Sequence, residues 1–150
     1  MEQLLNFCQL TENIGTAGQP TKAQLRTIAD LGYANVVNLA LHDSDNAIKD
    51  EGNFVAAMGM SYFHLPVPFD KPTAEHVKKF IGLMNLLNDE KVFVHCAVNA
   101  RVSAFMYKYL TLERGMTAEM STTPLLKQWL PQMDDAWTSI MNLNAQNLQI

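Results

Sequence analysis

The chain has 150 residues, of which 48% are apolar and 17% charged, with seven Gly and six Pro. These values predict one globular domain over residues 1–150 and exclude fibrous, low-complexity and disordered proteins, and no apolar run approaches the roughly 18 residues of a membrane span. The net charge is −4 and the eleven basic residues do not cluster, so we expect no nucleic acid and no membrane as a partner.

Short apolar runs alternate with longer amphipathic stretches, which predicts an α/β layer structure. Thr21 is typical of a helix N-cap, and Gly32 and Gly59 of residues that end helices. Pro66 and Pro68 indicate that the strand beside them lies near a sheet edge. The first helix has an apolar face made of Leu25, Ile28, Ala29 and Leu31. The predicted elements are an extended segment at 7–14, a turn at 18–20, a helix up to Gly32, a strand at 34–39, a loop at 42–45, a helix at 50–58 and a strand at 61–67.

The second half predicts a helix over 72–88, a buried central strand at 91–95 and a helix over 102–112. Residues 117–143 read as one or two helices, with Pro124 and Pro131 near starts or kinks. We expect residues 116–150 to form C-terminal helices that pack on the rest of the domain. The fold class that follows is a single α/β domain with a central, mostly parallel sheet of four or five strands flanked by helices.

The two cysteines, Cys8 and Cys96, are too few for a disulfide framework and lack the spacing of a zinc site. They predict free thiols in a reducing compartment and no metal. The N-terminus has no basic start and no long apolar run of the kind that marks a signal peptide. We therefore expect a cytoplasmic protein, or a periplasmic one if a leader has been removed.

Cys96 directly follows the predicted central strand and precedes a helix, and Arg101 comes five residues later. Backbone N–H groups at a helix start converge on one point, and the helix dipole adds about half a positive charge there. The same field favours a thiolate, and an arginine fork can bind two oxygens of an oxyanion. The segment predicts an anion site with a nucleophile at its floor, at the C-terminal end of the sheet.

The segment His95-Cys96-Ala97-Val98-Asn99-Ala100-Arg101 resembles the signature loop of cysteine-dependent protein tyrosine and dual-specificity phosphatases. The similarity includes Gly18-Gln19-Pro20-Thr21, the strand at 36–39, Gly59-Met60-Ser61-Tyr62 and Leu65-Pro66-Val67. This arrangement is similar to small bacterial phosphatase-like domains that are also found fused to beta-lactamase-like hydrolases. The resemblance covers about the first 115 residues.

The resemblance implies a dual-specificity-phosphatase-like fold and hydrolysis of a phosphate monoester without metal or organic cofactor. Cys96 would attack phosphorus, Arg101 would bind the equatorial oxygens, and His95 would orient the loop and help keep the thiol ionised. Asp70, between a strand and a helix, would be the general acid. The loop from Cys96 through Ala97, Val98, Asn99 and Ala100 to Arg101 would bind phosphate. The expected partner is a phosphorylated small molecule or phosphoprotein.

The loop departs from the usual phosphatase pattern in three ways. Four residues separate Cys96 from Arg101 instead of five, a length that rhodanese-like sulfurtransferases share. The loop has no Gly, so Asn99 is expected to take the left-handed conformation. Val102 stands where a hydroxyl usually follows the arginine, with Ser103 one position later. A rhodanese-like sulfurtransferase and a non-catalytic phosphate or phosphoprotein binder therefore stay open. Glu51 would reach the rim of the site if its helix begins there.

Overall fold

The computed structural model describes residues 3–150 and confirms the α/β class. Two short 3-10 turns, Glu119–Ser121 and Leu130–Gln132, accompany the regular elements. The strands are β1 (Cys8–Thr11), β2 (Ile14–Ala17), β3 (Asn35–Asn38), β4 (Ser61–His64) and β5 (Val92–His95). The helices are α1 (Lys22–Asp30), α2 (Glu51–Ala57), α3 (Ala74–Leu86), α4 (Ala100–Leu112), α5 (Pro124–Trp129), α6 (Asp135–Met141) and α7 (Ala145–Leu148).

The five strands form one sheet in the order β1-β2-β5-β3-β4. Only β1 is antiparallel to its neighbour, and β2, β5, β3 and β4 are mutually parallel. The expectation of a mostly parallel sheet of four or five strands is confirmed, and the strand before Cys96 occupies its centre. The register aligns Ala17 and Asn38 with His95, so the parallel strands end at one edge, and the loops after them meet there.

The expectation of a single extended segment at 7–14 is wrong, because the chain turns after Thr11 and β2 runs on to Ala17. Sequence periodicity missed β2 because its residues include Gly15 and Thr16 rather than a continuous apolar run. Close packing explains the glycine at position 15, because a Cβ there would lie 2.7 Å from the Tyr33 hydroxyl and 3.1 Å from the Phe93 ring. The small residue lets the strand backbone approach these rings closely.

Strand residues alternate between two apolar layers, as the period of two requires. Val36 and Phe93 point into a cluster with α1 and α2. Val37 and Val94 point into a larger cluster with the helices from α3 onward. The central strands are thus buried on both faces, which is the usual state of parallel sheets and explains their continuous apolar runs.

The boundaries of α1 to α4 lie within two residues of the predicted ones, and one strand ends earlier than predicted. Thr21 caps α1 and Thr73 caps α3 through capping boxes. Leu31, expected on the apolar face of α1, is 47% exposed, because α1 ends at Asp30 and Leu31 is its C-cap. The strand expected over 61–67 ends at His64, since prolines follow, and β4 does lie at a sheet edge as predicted.

The C-terminal part is more broken than the one or two helices expected over 117–143. Separate N-caps at Thr123, Asp134 and Asn144 start new helices, and each cap competes with continuation of the preceding helix. Pro124 stands in the first turn of α5, as its position suggested. Trp137 and Leu126 are completely buried against the larger cluster. Within residues 3–150, no helix combines the length and apolarity needed to cross a membrane.

Candidate active site

The loop 96–101 lies at the centre of the sheet's C-terminal edge. It follows β5, and the Cys96 N–H donates to the carbonyl of Ala17 at the end of β2 (3.4 Å). Helix α4 begins at Ala100, two residues before the predicted start, so the loop is short. Cys96 is completely buried. It belongs to the larger apolar cluster and stands four residues before the 13-residue helix α4.

The loop carbonyls are held by residues outside the loop. The Ala97 carbonyl accepts from the Gln19 N–H (3.0 Å) and from Asn46 Nδ2 (3.0 Å), and the Val98 carbonyl accepts from Asn6 Nδ2 (2.8 Å). In contrast, none of the N–H groups of residues 97–102 donates to a backbone carbonyl of residues 3–150, and no side chain caps the helix start. Six consecutive donors thus remain free to bind an anion.

The turn at Gly18 fits closely against this loop. A Cβ on Gly18 would lie 2.7 Å from the Ala97 carbonyl oxygen and 3.0 Å from Val98 Cα. Only glycine allows this approach without moving the loop backbone. The contact explains why a glycine immediately precedes Gln19, whose backbone and side chain both serve the site.

Asn99 has φ of 77°, which confirms the left-handed conformation expected for it. Its buried amide group donates to the Asn6 carbonyl (2.8 Å) and to Thr16 Oγ1 (3.2 Å). Its Oδ1 accepts from Ser103 Oγ (3.3 Å). Asparagine therefore supplies both the conformation a glycine would give and side-chain bonds that tie the loop to β2 and α4.

Arg101 is only 7% exposed, and its guanidinium lies over the loop after β4. Its Nη1 donates to the Val67 carbonyl (2.9 Å), and its Cζ lies 5.8 Å from the centre of the Phe69 ring. Its Nε is buried without a hydrogen-bond partner in residues 3–150. A buried unpaired guanidinium donor is costly, so this group is ready to accept an oxyanion as a partner.

His95 is buried and bonded on both ring nitrogens. Its Nε2 lies 2.6 Å from Glu51 Oε2, and its Nδ1 lies 3.2 Å from the Cys96 carbonyl oxygen. Glu51 Oε1 accepts from Gln19 Nε2 (2.7 Å). Glu51 was expected at the rim at most, and the structure places it inside, 4% exposed on its side chain and beneath the loop. Sequence reasoning missed this pair, because 44 residues separate its members.

Tyr62 lies beside this pair at the edge of the sheet. Burial raises its pKa to about 12, with a further upward contribution from the negative charge of Glu51, while the hydrogen bond from Asn38 lowers it. Asn38 Nδ2 donates to the Tyr62 hydroxyl at 2.9 Å. The phenol is therefore neutral at physiological pH.

Asp70 is exposed, in the loop between β4 and α3. The loop itself is anchored at two points: Val67 accepts from Arg101, and the Phe69 carbonyl accepts from Trp137 Nε1 (2.7 Å). Asp70 thus stands three residues after a carbonyl that contacts Arg101, but its carboxylate forms no hydrogen bond within residues 3–150. The loop 96–101 thus contains Cys96 and Arg101 and adjoins His95, while Asp70 stays exposed in the loop after β4 without a recorded contact to any of them.

The hydroxyl of Ser103 is hydrogen-bonded to two other side chains and not to Cys96. It donates to Asn99 Oδ1 and accepts from Thr123 Oγ1 (2.7 Å). Val102 is completely buried. No hydroxyl of residues 3–150 is hydrogen-bonded to the Cys96 sulfur, so the departure noted in the sequence persists in the structure.

Solved structures resemble this fold over nearly the whole chain. The structure of a DUF442 phosphatase from Shewanella putrefaciens CN-32 has 27% sequence identity and a TM-score of 0.83, covering 93% of this chain and 91% of that one. TpbA from P. aeruginosa has 15% identity and a TM-score of 0.73, covering 97% and 88%. Tk-PTP in its active form has 15% identity and a TM-score of 0.71, covering 96% and 97%. The last two identities support the fold alone.

No curated protein sequence matches the chain. The family model described as "DSP-PTPase phosphatase fused to NAD+ Kinase" matches residues 9–141. The match begins in β1 and ends with α6, so it includes the loop 96–101 and every strand of the sheet. With the geometry above, it shows that the chain belongs to this family of cysteine-based, dual-specificity and tyrosine phosphatase-like proteins.

Proposed function

We propose that the protein hydrolyses a phosphate monoester through a phosphocysteine intermediate on Cys96. The observation that supports this proposal is a set of donors without protein partners in the segment after Cys96: the N–H groups of 97–102 and the buried Nε of Arg101. In this proposal they bind the equatorial oxygens of a phosphoryl group and stabilise its transition state. The family membership supports phosphatase chemistry at this loop.

In this mechanism the Cys96 thiolate attacks phosphorus and the bond to the leaving oxygen breaks. Asp70 gives its proton to that oxygen. Asp70 then takes a proton from water, the hydroxide displaces the sulfur, and inorganic phosphate and the thiolate are released. In this proposal His95 orients the loop through its contact with the Cys96 carbonyl (3.2 Å). With no hydroxyl bonded to the sulfur, we expect its departure to be the slow step.

The relatives and the surface beside the loop both favour a phosphorylated organic substrate. TpbA has been solved in complex with pTyr, and SIW14 from S. cerevisiae is a PP-IP phosphatase. A shallow, open depression of about 360 Å³ borders Ala100 and includes Phe69 and Trp129. Its aromatic surface can contact a planar leaving group, so we choose an aryl phosphate as the probe.

Replacement of the thiol tests the proposal directly. We expect Cys96→Ser to abolish hydrolysis of a chromogenic aryl phosphate, because a serine hydroxyl is not ionised at neutral pH, while phosphate still raises the melting temperature of the variant. Cys8→Ser is the matched control, since Cys8 lies on β1 away from the loop, and it should keep full activity. Unchanged turnover in Cys96→Ser would contradict the nucleophile.

The general acid is tested separately. Asp70→Asn should lower kcat about 10²-fold and remove the basic limb of the pH-rate profile, since leaving-group protonation is lost. Binding of phosphate should not change, because Asp70 does not contact the loop. Glu75→Gln, on an exposed carboxylate in the first turn of α3, is the control. A variant with unaltered rate and pH profile would assign the acid to another group.

Two alternatives to phosphate-ester hydrolysis are each supported by one observation. The four-residue spacing of the loop favours a rhodanese-like sulfurtransferase, which would form thiocyanate from thiosulfate and cyanide. The engagement of Ser103 by Asn99 and Thr123 favours a non-catalytic binder. Such a binder would be stabilised by phosphate without hydrolysing any phosphate ester.

A further inference from the structure

The backbone of the loop 96–101 is hydrogen-bonded on its carbonyl side only. The carbonyls of residues 97–99 all accept hydrogen bonds, whereas the N–H groups of residues 97–102 have no acceptor within residues 3–150. In a planar trans peptide the carbonyl and the following N–H point in opposite directions. Donors that hold the carbonyls on one side of the loop therefore turn the next N–H groups to the other side, where an oxyanion would bind.

The carbonyl of Val98 depends on a single side chain. The Ala97 carbonyl accepts from two donors, one of which is the main-chain N–H of Gln19. Within residues 3–150, the Val98 carbonyl accepts only from Asn6 Nδ2 (2.8 Å), in the segment before β1. The peptide group between Val98 and Asn99 is therefore the less secured of the two, and Asn6 is what holds it.

A half-turn rotation of this peptide group would relieve the left-handed backbone of Asn99. It would change φ of Asn99 from 77° to about −100°, which most residues adopt without strain. The rotation would also turn the Val98 carbonyl oxygen towards the anion side of the loop, where it would repel an oxyanion. The hydrogen bond from Asn6 opposes this rotation, because it is made only while the carbonyl points outward.

Asn6 is itself held against the loop. Its backbone is left-handed, with φ of 53°, and its carbonyl accepts from Asn99 Nδ2 (2.8 Å). The neighbouring Leu5 carbonyl accepts from the Gly18 N–H (2.7 Å), and Leu4 is buried in the smaller apolar cluster. The Asn6 amide is thus fixed beside Val98 although the residue lies at the surface.

From this geometry we infer that Asn6 is a positioning residue for the anion site, whose side-chain amide holds the Val98 carbonyl outward and so points the Asn99 N–H at the bound oxyanion. The effect on turnover rests on the proposed function, but the effect on phosphate binding does not. The buried Nε of Arg101, which has no protein partner, independently indicates an anion at this loop. Asn6 lies on the carbonyl side of the peptide and does not contact the anion.

Asn6→Gly tests the inference, because it removes the donor and little else. Glycine adopts φ of 53° without strain and keeps the backbone carbonyl to which Asn99 donates. We expect the dissociation constant for inorganic phosphate, measured by calorimetry on the full chain, to rise about tenfold, as for the loss of one hydrogen bond to an ionised group. Without phosphate, the NMR cross-peak between the N–H and Hα of Asn99, which is strong only at positive φ, should weaken.

Gln149→Gly is the matched control. Gln149 also has a left-handed backbone (φ 59°), and its side chain likewise makes one hydrogen bond, accepted from Lys78 Nζ (2.8 Å). Both variants therefore lose one side-chain bond and gain the flexibility of glycine, but Gln149 follows α7 and does not contact the loop. Its variant should bind phosphate as the parent does. A merely structural role for Asn6 would lower the melting temperature and leave the phosphate affinity unchanged.

The parent protein provides a test that needs no variant. Saturating phosphate should shift the NMR signal of the Asn99 N–H. Phosphate binding that leaves this signal in place would overturn the inference, as would an unchanged phosphate affinity in folded Asn6→Gly. A parent that binds no phosphate would contradict both the inference and the proposed function. A parent that binds phosphate through the Asn99 N–H but hydrolyses no phosphate ester would contradict the proposed function alone.

Discussion

At the residue scale, the loop owes its shape to a polar side chain in a conformation that usually requires glycine. Asn99 takes φ of 77° and is bonded to the Asn6 carbonyl, Thr16 and Ser103. The first property lets the chain turn from β5 into α4 without a glycine. The second ties the loop 96–101 to Asn6, β2 and α4, so Asn99 orders this loop.

Two substitutions separate these contributions. Asn99→Ala should lower the free energy of unfolding by about 2 to 4 kcal/mol, because alanine is strained at positive φ and leaves buried groups unpaired. Asn99→Gly should cost less, about 1 to 3 kcal/mol, because it removes only the hydrogen bonds. Urea unfolding measures both. Equal losses, or a larger loss for glycine, would show that the backbone conformation is not strained there.

At the element scale, α1, α3 and α7 begin with capping boxes, in which the side chain at the third helical residue bonds back to the N-cap N–H. In α3 that residue is His76, whose Nδ1 accepts from the Thr73 N–H (3.1 Å) while Thr73 Oγ1 accepts from the His76 N–H (3.2 Å). A protonated ring would lose the acceptor and place a positive charge at the positive end of the helix. The start of α3 is therefore sensitive to acid.

The direction of this pH dependence of stability follows from the pKa of His76. Partial burial and the nearby charge of Lys79 lower the pKa of His76 below its ordinary 6.5, against a smaller opposing effect of Glu75. The unfolded chain therefore binds more protons than the folded chain as the pH falls below 6.5, so stability is present above that pH and decreases on acidification. Urea unfolding on either side of pH 6.5 measures the decrease.

His76→Gln is the matched variant, since glutamine can complete the same capping box without titrating. Its stability should change less with pH than that of the parent. An identical pH dependence in both proteins would assign the acid sensitivity to another group.

At the scale of the whole molecule, the C-terminal helices hold the loop that carries Asp70. Trp137 on α6 is completely buried among aromatic rings, and its Nε1 donates to the Phe69 carbonyl. Phe69 in turn stacks on Trp129 at 5.7 Å and lies beside Arg101. The segment after α4 therefore reaches the site through packing, although none of its residues was expected there.

Trp137→Phe should show this coupling. Loss of the indole donor should lower the free energy of unfolding by about 1 to 2 kcal/mol and free the Phe69 carbonyl. We expect kcat to fall several-fold while phosphate binding, measured by thermal shift, stays unchanged, because Asp70 is less well placed but the loop 96–101 is intact. Trp129→Phe keeps the stack on Phe69 and is the control. A loss of stability without any loss of kcat would show that α6 does not position the loop that carries Asp70.

The sequence by itself determined the features that depend on neighbours along the chain. The α/β class, the central strand before Cys96, the cap at Thr21 and the left-handed Asn99 were all predictable, because periodicity and backbone conformation are set over a few residues. Thiol, loop and arginine were likewise predictable as one segment, since a single strand-loop-helix unit carries them.

Only the tertiary structure decided which distant side chains meet. The pairing of Glu51 with His95, the carbonyl of Val67 on Arg101 and the capture of Ser103 by Thr123 join residues from different elements. Strand β2 and the breaks between the C-terminal helices also escaped the sequence pattern. Such contacts depend on the order of the strands and on how loops of different lengths pack at one sheet edge. No local sequence pattern encodes the strand order or the loop packing, because the contacting residues come together only when the whole sheet has formed.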